Sequence, residues 1–109
     1  MKKILVLLGL FAPAAVHAQD SGYSVARYVC DRQVEFDVTY ANVAPSPISV
    51  LSVEGRQVTL ELQPGGSGAK YGMSGDQPGY VWWTKGDEAM LLWGANDEEQ
   101  TLLTCTRQP

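Results

Sequence analysis

The stretch from 33 to 40 reads Gln33-Val34-Glu35-Phe36-Asp37-Val38-Thr39-Tyr40, and it decides the fold class of this chain. Its apolar and polar side chains alternate, with the residues at 34, 36, 38 and 40 on one face and the polar residues between them on the other. Successive side chains of a β-strand point to opposite faces, so this period of two predicts a strand with one buried face.

Seven further short runs of β-branched, aromatic or aliphatic residues surround this stretch, namely Val25 to Cys30, Ser49 to Val53, Gln57 to Leu62, Ala69 to Gly72, Tyr80 to Thr84, Ala89 to Trp93 and Thr101 to Thr106. Turn-forming Gly, Pro, Asn and Asp separate them. No stretch has a sustained apolar period of about 3.6 residues, so the sequence predicts an all-β domain of eight strands. A small antiparallel β-barrel hides its strand edges best, and an open sandwich is the alternative.

The first 18 residues have the pattern of a secretory signal peptide. Lys2 and Lys3 precede an apolar run, and Val16-His17-Ala18 places small residues at the positions that a signal peptidase recognises. We expect cleavage after Ala18, which leaves one exported domain over residues 19–109. Position 19 is glutamine and not a lipid-accepting cysteine, so no membrane anchor is expected.

Charge and composition narrow the function classes. The predicted mature chain keeps six basic and twelve acidic residues, a net charge of −6. This charge suits a basic protein partner and disfavours nucleic acid and anionic lipid surfaces. His17, the single histidine, leaves with the signal peptide, which excludes histidine-dependent triads and histidine-ligated zinc. No catalytic residue, metal or cofactor is predicted.

Cys30 and Cys105 are the two cysteines of the chain. In an oxidising compartment they predict one disulfide that ties the ends of the domain together. Closing a loop of this length is worth about 4 to 5 kcal/mol in the chain-entropy model. A pair of redox-active thiols is the alternative, which the absence of a Cys-x-x-Cys spacing disfavours.

Two segments are candidates for contact with a partner. The glycines of Gly65-Gly66-Ser67-Gly68 let the backbone approach another surface, although a mobile hairpin tip is the simpler interpretation. In the second segment, Trp82 and Trp83 are adjacent on a predicted strand and must point to opposite faces, so one belongs in the core and the other outside. Taken alone, Lys85 is an ordinary solvated turn residue.

Together the two segments resemble the hallmark pair of the MliC/PliC family of c-type lysozyme inhibitors, Ser-Gly-x-x-Tyr and Val-x-Trp-x-Lys-Gly-Asp-Glu-Ala. The matching residues are Ser67-Gly68-Ala69-Lys70-Tyr71 and Val81-Trp82-Trp83-Thr84-Lys85-Gly86-Asp87-Glu88-Ala89. The resemblance extends to Tyr28-Val29-Cys30-Asp31 and to Cys105. It implies an eight-stranded antiparallel barrel, no enzymatic activity, and c-type lysozyme as the protein partner.

The resemblance also implies roles for particular residues. In the family, the serine of the first motif and the lysine of the second enter the lysozyme cleft and contact its two catalytic carboxyl groups, and here these residues are Ser67 and Lys85. The binding surface is expected to include residues that shape or support the loop, namely Gly68, Lys70, Tyr71 and Thr84.

This chain departs from the family pattern in two respects. The missing lipid-acceptor cysteine indicates the soluble periplasmic branch. The connection from Gly72 to Gly79 is longer than is typical, which is expected to alter contacts at the rim of the binding surface or the position of Ser67 relative to Lys85.

Other interpretations remain open from the sequence. A carboxylate pair of the kind that hydrolyses glycosides could come from Asp31, Glu35 and Asp37, or from Asp87 and Glu88, but Glu35 and Asp37 lie on the solvent face of an alternating strand. The acidic run 97–99 is a weak calcium motif and is better interpreted as a solvated turn. A binding module for another lytic enzyme or for an envelope glycan is a further alternative. Some relatives in the family pair, so a homodimer also stays open.

Overall fold

A computed structural model describes residues 22–96 and 98–109. The predicted signal peptide and its cleavage site lie outside these residues. The described residues form eight strands and one short 3-10 turn at Asp31–Gln33. The strands are β1 (Tyr23–Cys30), β2 (Glu35–Ala41), β3 (Ile48–Val53), β4 (Arg56–Leu62), β5 (Ala69–Gly72), β6 (Gly79–Lys85), β7 (Glu88–Ala95) and β8 (Glu98–Arg107). This part of the chain contains no helix with the length and apolar character needed to cross a membrane.

Each strand pairs antiparallel with the next, and β8 pairs back with β1, so the sheet closes into a barrel. The predicted all-β fold with eight strands is confirmed, and closure excludes the open sandwich. Because neighbouring strands run in opposite directions, the connection 63–68 and the turn at Gly86 and Asp87 lie at the same end of the barrel. We call this the Lys85 end. The hairpin turn at Glu54 and Gly55 and the connection 73–78 lie at the opposite end.

Trp82 is the centre of the barrel core and has no exposed surface. Its ring meets those of Tyr28 and Phe36 edge to face, at centroid distances of 4.9 and 5.5 Å. Its indole Nε1 donates a 2.8 Å hydrogen bond to the hydroxyl of Tyr40, which in turn lies 2.8 Å from the hydroxyl of Tyr28. The core therefore combines aromatic packing with a network of two hydrogen bonds among Trp82, Tyr40 and Tyr28.

The predicted disulfide is present and lies where the barrel closes. Cys30 and Cys105 are direct partners in the antiparallel register of β1 and β8, and their sulfur atoms are bonded. In the described residues this seam has three register pairs, fewer than most neighbouring strands share. The covalent bond thus reinforces one of the shorter strand contacts.

Several strand boundaries differ from the sequence-based expectation. β2 begins at Glu35 because Arg32 and Gln33 have φ values of 59° and 62°, a left-handed backbone that a strand cannot continue. β1 begins two residues earlier than predicted, at Tyr23. The interpretation of 97–99 as a solvated turn is wrong for Glu98 and Glu99, which pair with Ala95 and Gly94 in the β7–β8 ladder, and Glu99 is partly buried.

Candidate protein-binding site

The pairing of β5 with β6 brings the two sequence motifs together. Ala69 is the register partner of Thr84, and Lys70 is the partner of Trp83. The residues that precede β5 therefore lie beside the residues that end β6, at the Lys85 end of the barrel. Ser67 and Lys85, separated by 18 positions in the sequence, are both exposed there.

Gly68 packs directly against the end of β6. Its φ is +73°, and a Cβ atom built on it would lie 2.2 Å from the carbonyl oxygen of Thr84 and 2.8 Å from Cγ of Lys85. Both the backbone conformation and the space therefore require glycine. The motif needs a glycine after Ser67 because only glycine lets the loop lie directly on the end of β6.

Trp83 lies on the outside of β6 and contacts residues of both motifs. Its indole Nε1 donates a 2.9 Å hydrogen bond to the backbone carbonyl of Ser67. The ammonium nitrogens of Lys85 and Lys70 lie 4.6 and 4.9 Å from its ring centroid. Both distances fall within the range of a cation–π interaction. Trp82 and Trp83 thus face opposite sides of the sheet, as the strand period predicts.

The two lysines at Trp83 differ in their electrostatic surroundings. The ammonium of Lys70 lies 3.1 Å from Oε1 of Glu99, and their side chains are only 23% and 10% exposed. In the part of the chain that the structure describes, Lys85 makes no such pair with a carboxylate. Lys70 is therefore neutralised and held against the barrel, whereas Lys85 presents its charge to solvent.

Two other residues of the predicted site, Tyr71 and Thr84, support this surface from the side of the barrel. Tyr71 points into the barrel, is 8% exposed, and packs against Tyr40 with a ring-centroid distance of 5.7 Å. Burial raises the pKa of Tyr71 above its ordinary value. Thr84 is half-buried, and its hydroxyl lies 3.4 Å from the carbonyl oxygen of Ala69. Neither residue offers a partner the exposed group that Ser67 and Lys85 offer.

The turn that carries Lys85 is fixed to the neighbouring strand. The backbone N–H of Arg107, at the end of β8, donates a 2.7 Å hydrogen bond to the carbonyl oxygen of Asp87. The turn is therefore held on one side by β8 and on the other by Gly68. A tight turn held on both sides is a firmer support for a projecting lysine than a free hairpin tip.

The long connection between β5 and β6 leaves the barrel at the other end. Its residues 73–78 follow Gly72, whereas the Ser67 loop precedes Ala69. Ser74 Oγ donates a 2.9 Å hydrogen bond to Glu61, which attaches the connection to β4. The connection and the glycine-rich loop border one outer groove of about 500 Å³, floored in part by Lys70, Val81 and Trp83. Gly68 packs the glycine-rich loop against the end of β6, and the effect of this connection on the position of Ser67 stays a prediction.

Two contributors escaped the sequence-based site prediction. The sequence predicted only that one of Trp82 and Trp83 lies outside the barrel, without saying which, and it placed Glu99 in a solvated turn. A prediction that β5 pairs with β6 would have placed Trp83 beside Lys70. The contact of Glu99 with Lys70, in contrast, depends on the order of strands around the barrel.

Of the carboxylates considered for catalysis, Asp87 and Glu88 are exposed in and beside the Lys85 turn, whereas Glu35 and Asp37 lie away from this site and already have a partner. Glu35 and Asp37 lie on the outer face of β2, and Arg27 contacts each of them at 3.1 Å. Both carboxylates form ion pairs with the Arg27 guanidinium on an exposed surface, and they do not line a cleft.

Comparison with known proteins assigns the chain to a family. The family described as membrane-bound lysozyme-inhibitor of c-type lysozyme matches residues 28–100. A membrane-bound lysozyme inhibitor of C-type lysozyme from Cupriavidus necator is 29% identical over 119 residues, which cover 99% of this chain and 92% of that protein.

Two solved structures have the same fold. Pseudomonas aeruginosa MliC, crystallised in complex with hen egg white lysozyme, has a TM-score of 0.62 and 26% sequence identity, covering 79% of this chain and 82% of that chain. PliC-St, the periplasmic lysozyme inhibitor of C-type lysozyme from Salmonella typhimurium, has a TM-score of 0.63 and 22% identity, covering 80% of this chain and 99% of that chain. The second similarity shows the fold alone. The match over residues 28–100, together with the barrel and the two joined motifs, establishes that the chain belongs to the MliC/PliC family, whose members are inhibitor proteins and not enzymes.

Proposed function

We propose that this protein inhibits c-type lysozyme by placing the Ser67 loop and the Lys85 turn in the active-site cleft of the enzyme. The observation that carries the proposal is the contact of Gly68 with Thr84 and Lys85, which joins two exposed polar side chains at one end of a rigid barrel. The lysozyme complex of the Pseudomonas aeruginosa relative supports the same partner.

The chemistry of the two side chains matches the target. A c-type lysozyme keeps one catalytic carboxyl protonated as a general acid and the other ionised. The Ser67 hydroxyl can hydrogen-bond to either form, whereas the Lys85 ammonium pairs with the ionised carboxylate. A charge-assisted hydrogen bond in a cleft shielded from water is stronger than the same contact at an open surface.

Lys85, and not Lys70, supplies the charge in this proposal. The carboxylate of Glu99 already neutralises Lys70 at 3.1 Å, so Lys70 would gain little from a second carboxylate. Lys70, Gly68, Tyr71 and Thr84 hold the loop and the turn in place. They affect the binding of lysozyme through the shape of the surface that they support.

The proposed setting is the periplasm. The basic residues and apolar run at the start of the sequence, with cleavage after Ala18, would export the domain 19–109 without a lipid anchor. The mature protein would carry a net charge of −6. Long-range attraction to a basic lysozyme would then speed the encounter, and salt would slow it.

A titration of lysozymes with the mature protein tests the proposal. Hydrolysis of bacterial cell walls is followed for c-type, g-type and i-type lysozymes at increasing inhibitor concentration, and we expect inhibition of the c-type enzyme. The control variant is Arg56→Ala, which removes one exposed positive charge at the opposite end of the barrel and should inhibit as well as the wild type. A folded protein that leaves the c-type enzyme fully active would refute the proposal.

A further inference from the structure

We propose that Trp83 is a positioning residue that holds the Ser67 loop and the Lys85 side chain in one arrangement before lysozyme binds, and that the Lys70–Glu99 ion pair supports it. The inference rests on the proposed function of this site. In this inference, Trp83 affects lysozyme binding by positioning Ser67 and Lys85 and does not contact lysozyme itself.

The two contacts of Trp83 are chemically distinct. Its N–H donates to the Ser67 carbonyl at 2.9 Å and so fixes the backbone that carries the serine hydroxyl. Its ring face lies 4.6 Å from the Lys85 ammonium, which restrains a long side chain that would otherwise sample many rotamers. Restraining both groups before binding reduces the entropy that association must remove.

The Lys70–Glu99 ion pair gives Trp83 a second support, separate from its contact with Lys85. Lys70 is the register partner of Trp83, its ammonium lies 4.9 Å from the indole centroid, and Glu99 holds that ammonium at 3.1 Å. The pair is largely shielded from water, with side-chain exposures of 23% and 10%, so it is screened less than a surface ion pair. It therefore links the first motif, the indole and the start of β8.

Two substitutions separate the two contacts. Trp83→Phe keeps an aromatic face for Lys85 but removes the N–H donor, so only the Ser67 contact is lost. Trp83→Leu removes both. We expect Trp83→Phe to weaken inhibition about two- to tenfold, the net value of one hydrogen bond, and Trp83→Leu to weaken it further. The matched control is Trp93→Phe, because Trp93 is 45% exposed and lies on β7, the other strand of the β6–β7 hairpin.

Coupling between substitutions distinguishes positioning from direct contact. If Trp83 acts through the Ser67 loop, the effect of Trp83→Phe disappears in a Ser67→Ala background but persists in a Lys85→Ala background. The Trp83→Leu effect should shrink in both backgrounds. If Trp83→Phe costs the same in the wild-type and Ser67→Ala proteins, with unchanged melting temperatures, Trp83 contacts lysozyme directly and the inference is wrong.

A measurement on the free protein separates this inference from the proposed function. The indole N–H of Trp83 should exchange with deuterium more slowly than that of Trp93, and Gly68→Ala should accelerate it by displacing the Ser67 carbonyl. Equal exchange at Trp83 and Trp93 would overturn the positioning role even if lysozyme is inhibited. Slow exchange at Trp83 in a protein that does not inhibit lysozyme would instead refute the proposed function and leave the Trp83–Ser67 contact standing.

Discussion

Gly68 lies so close to Thr84 that a Cβ atom built on it would be 2.2 Å from the Thr84 carbonyl oxygen. Real side chains do not tolerate this distance, so any other residue at 68 must move the loop, the end of β6, or both. Ser67 and Lys85 lie on the two segments that would separate. The distance between the proposed inhibitory groups therefore depends on a position that itself offers lysozyme no side chain.

Gly68→Ala is expected to weaken inhibition at least tenfold, because it displaces Ser67 from Lys85. The matched control is Gly66→Ala in the same loop. Gly66 also has a positive φ, +76°, but no atom lies within 4 Å of its Cβ position, so the substitution strains the backbone without a clash. Inhibition constants and melting temperatures of the two variants are compared. Equal inhibition by the two folded variants would show that the close packing of Gly68 is unimportant.

The fold was predictable from the sequence because its main signals are local. The alternation from 33 to 40 requires no knowledge of other strands, and Phe36 and Val38 are buried as it predicts. The boundaries were less predictable where the backbone conformation decided them. Arg32 and Gln33 are polar residues that suit the end of a strand, and only their positive φ values place the start of β2 after them.

The site was predictable in part, for a related reason. Ser67 and Lys85 could be selected because family motifs mark them, and the structure places both at one end of the barrel. The support around them depends on which strands are neighbours. Glu99 contacts Lys70 although 29 positions separate them in the sequence, and neither residue type by itself predicts that contact.

Removal of the Cys30–Cys105 disulfide should destabilise the barrel without changing its inhibitory surface. The bond joins β1 to β8 across 75 residues, and neither cysteine belongs to the Ser67 loop or the Lys85 turn. The Cys30→Ala/Cys105→Ala protein should lose about 2 to 5 kcal/mol of unfolding free energy, the usual cost of removing such a bond from a small domain. Urea unfolding measures the loss. Thiol titration of the denatured, unreduced wild type should find no free thiol, and two thiols would contradict the prediction.

Alkaline pH should destabilise the barrel through its buried tyrosines. Burial raises the pKa of Tyr40 well above its ordinary value, and burial raises that of Tyr71 as well. The unfolded chain releases these protons near pH 10, whereas the folded chain retains them to higher pH. Their contribution to stability is therefore complete below about pH 10 and is lost as the pH rises further.

Tyr40→Phe tests this assignment. The variant removes one of the protons that the folded state retains, so its unfolding free energy should fall less steeply with pH between about 9 and 11. Tyr23→Phe is the control, because Tyr23 is 61% exposed and its loss should leave the slope unchanged. Urea unfolding at a series of pH values gives the slopes. Identical slopes for the wild type and both variants would exclude Tyr40 as a source of the pH dependence.

Ser67→Ala and Lys85→Ala should each weaken inhibition while the barrel keeps its melting temperature, because both side chains are exposed. Lys85 should matter more. Its loss leaves an ionised lysozyme carboxylate shielded from water without its cation, at a cost of about 2 to 5 kcal/mol, whereas a neutral hydrogen bond contributes about 1 kcal/mol. The double variant should be nearly inert.

The controls for this pair remove the same chemical groups elsewhere on the barrel. Ser52→Ala deletes an exposed hydroxyl from β3, and Arg56→Ala deletes an exposed positive charge from the start of β4. Both should inhibit like the wild type, so a loss confined to Ser67 and Lys85 would reflect their position and not the loss of a hydroxyl or a charge as such. A folded double variant that inhibits as well as the wild type would show that other residues block the lysozyme cleft.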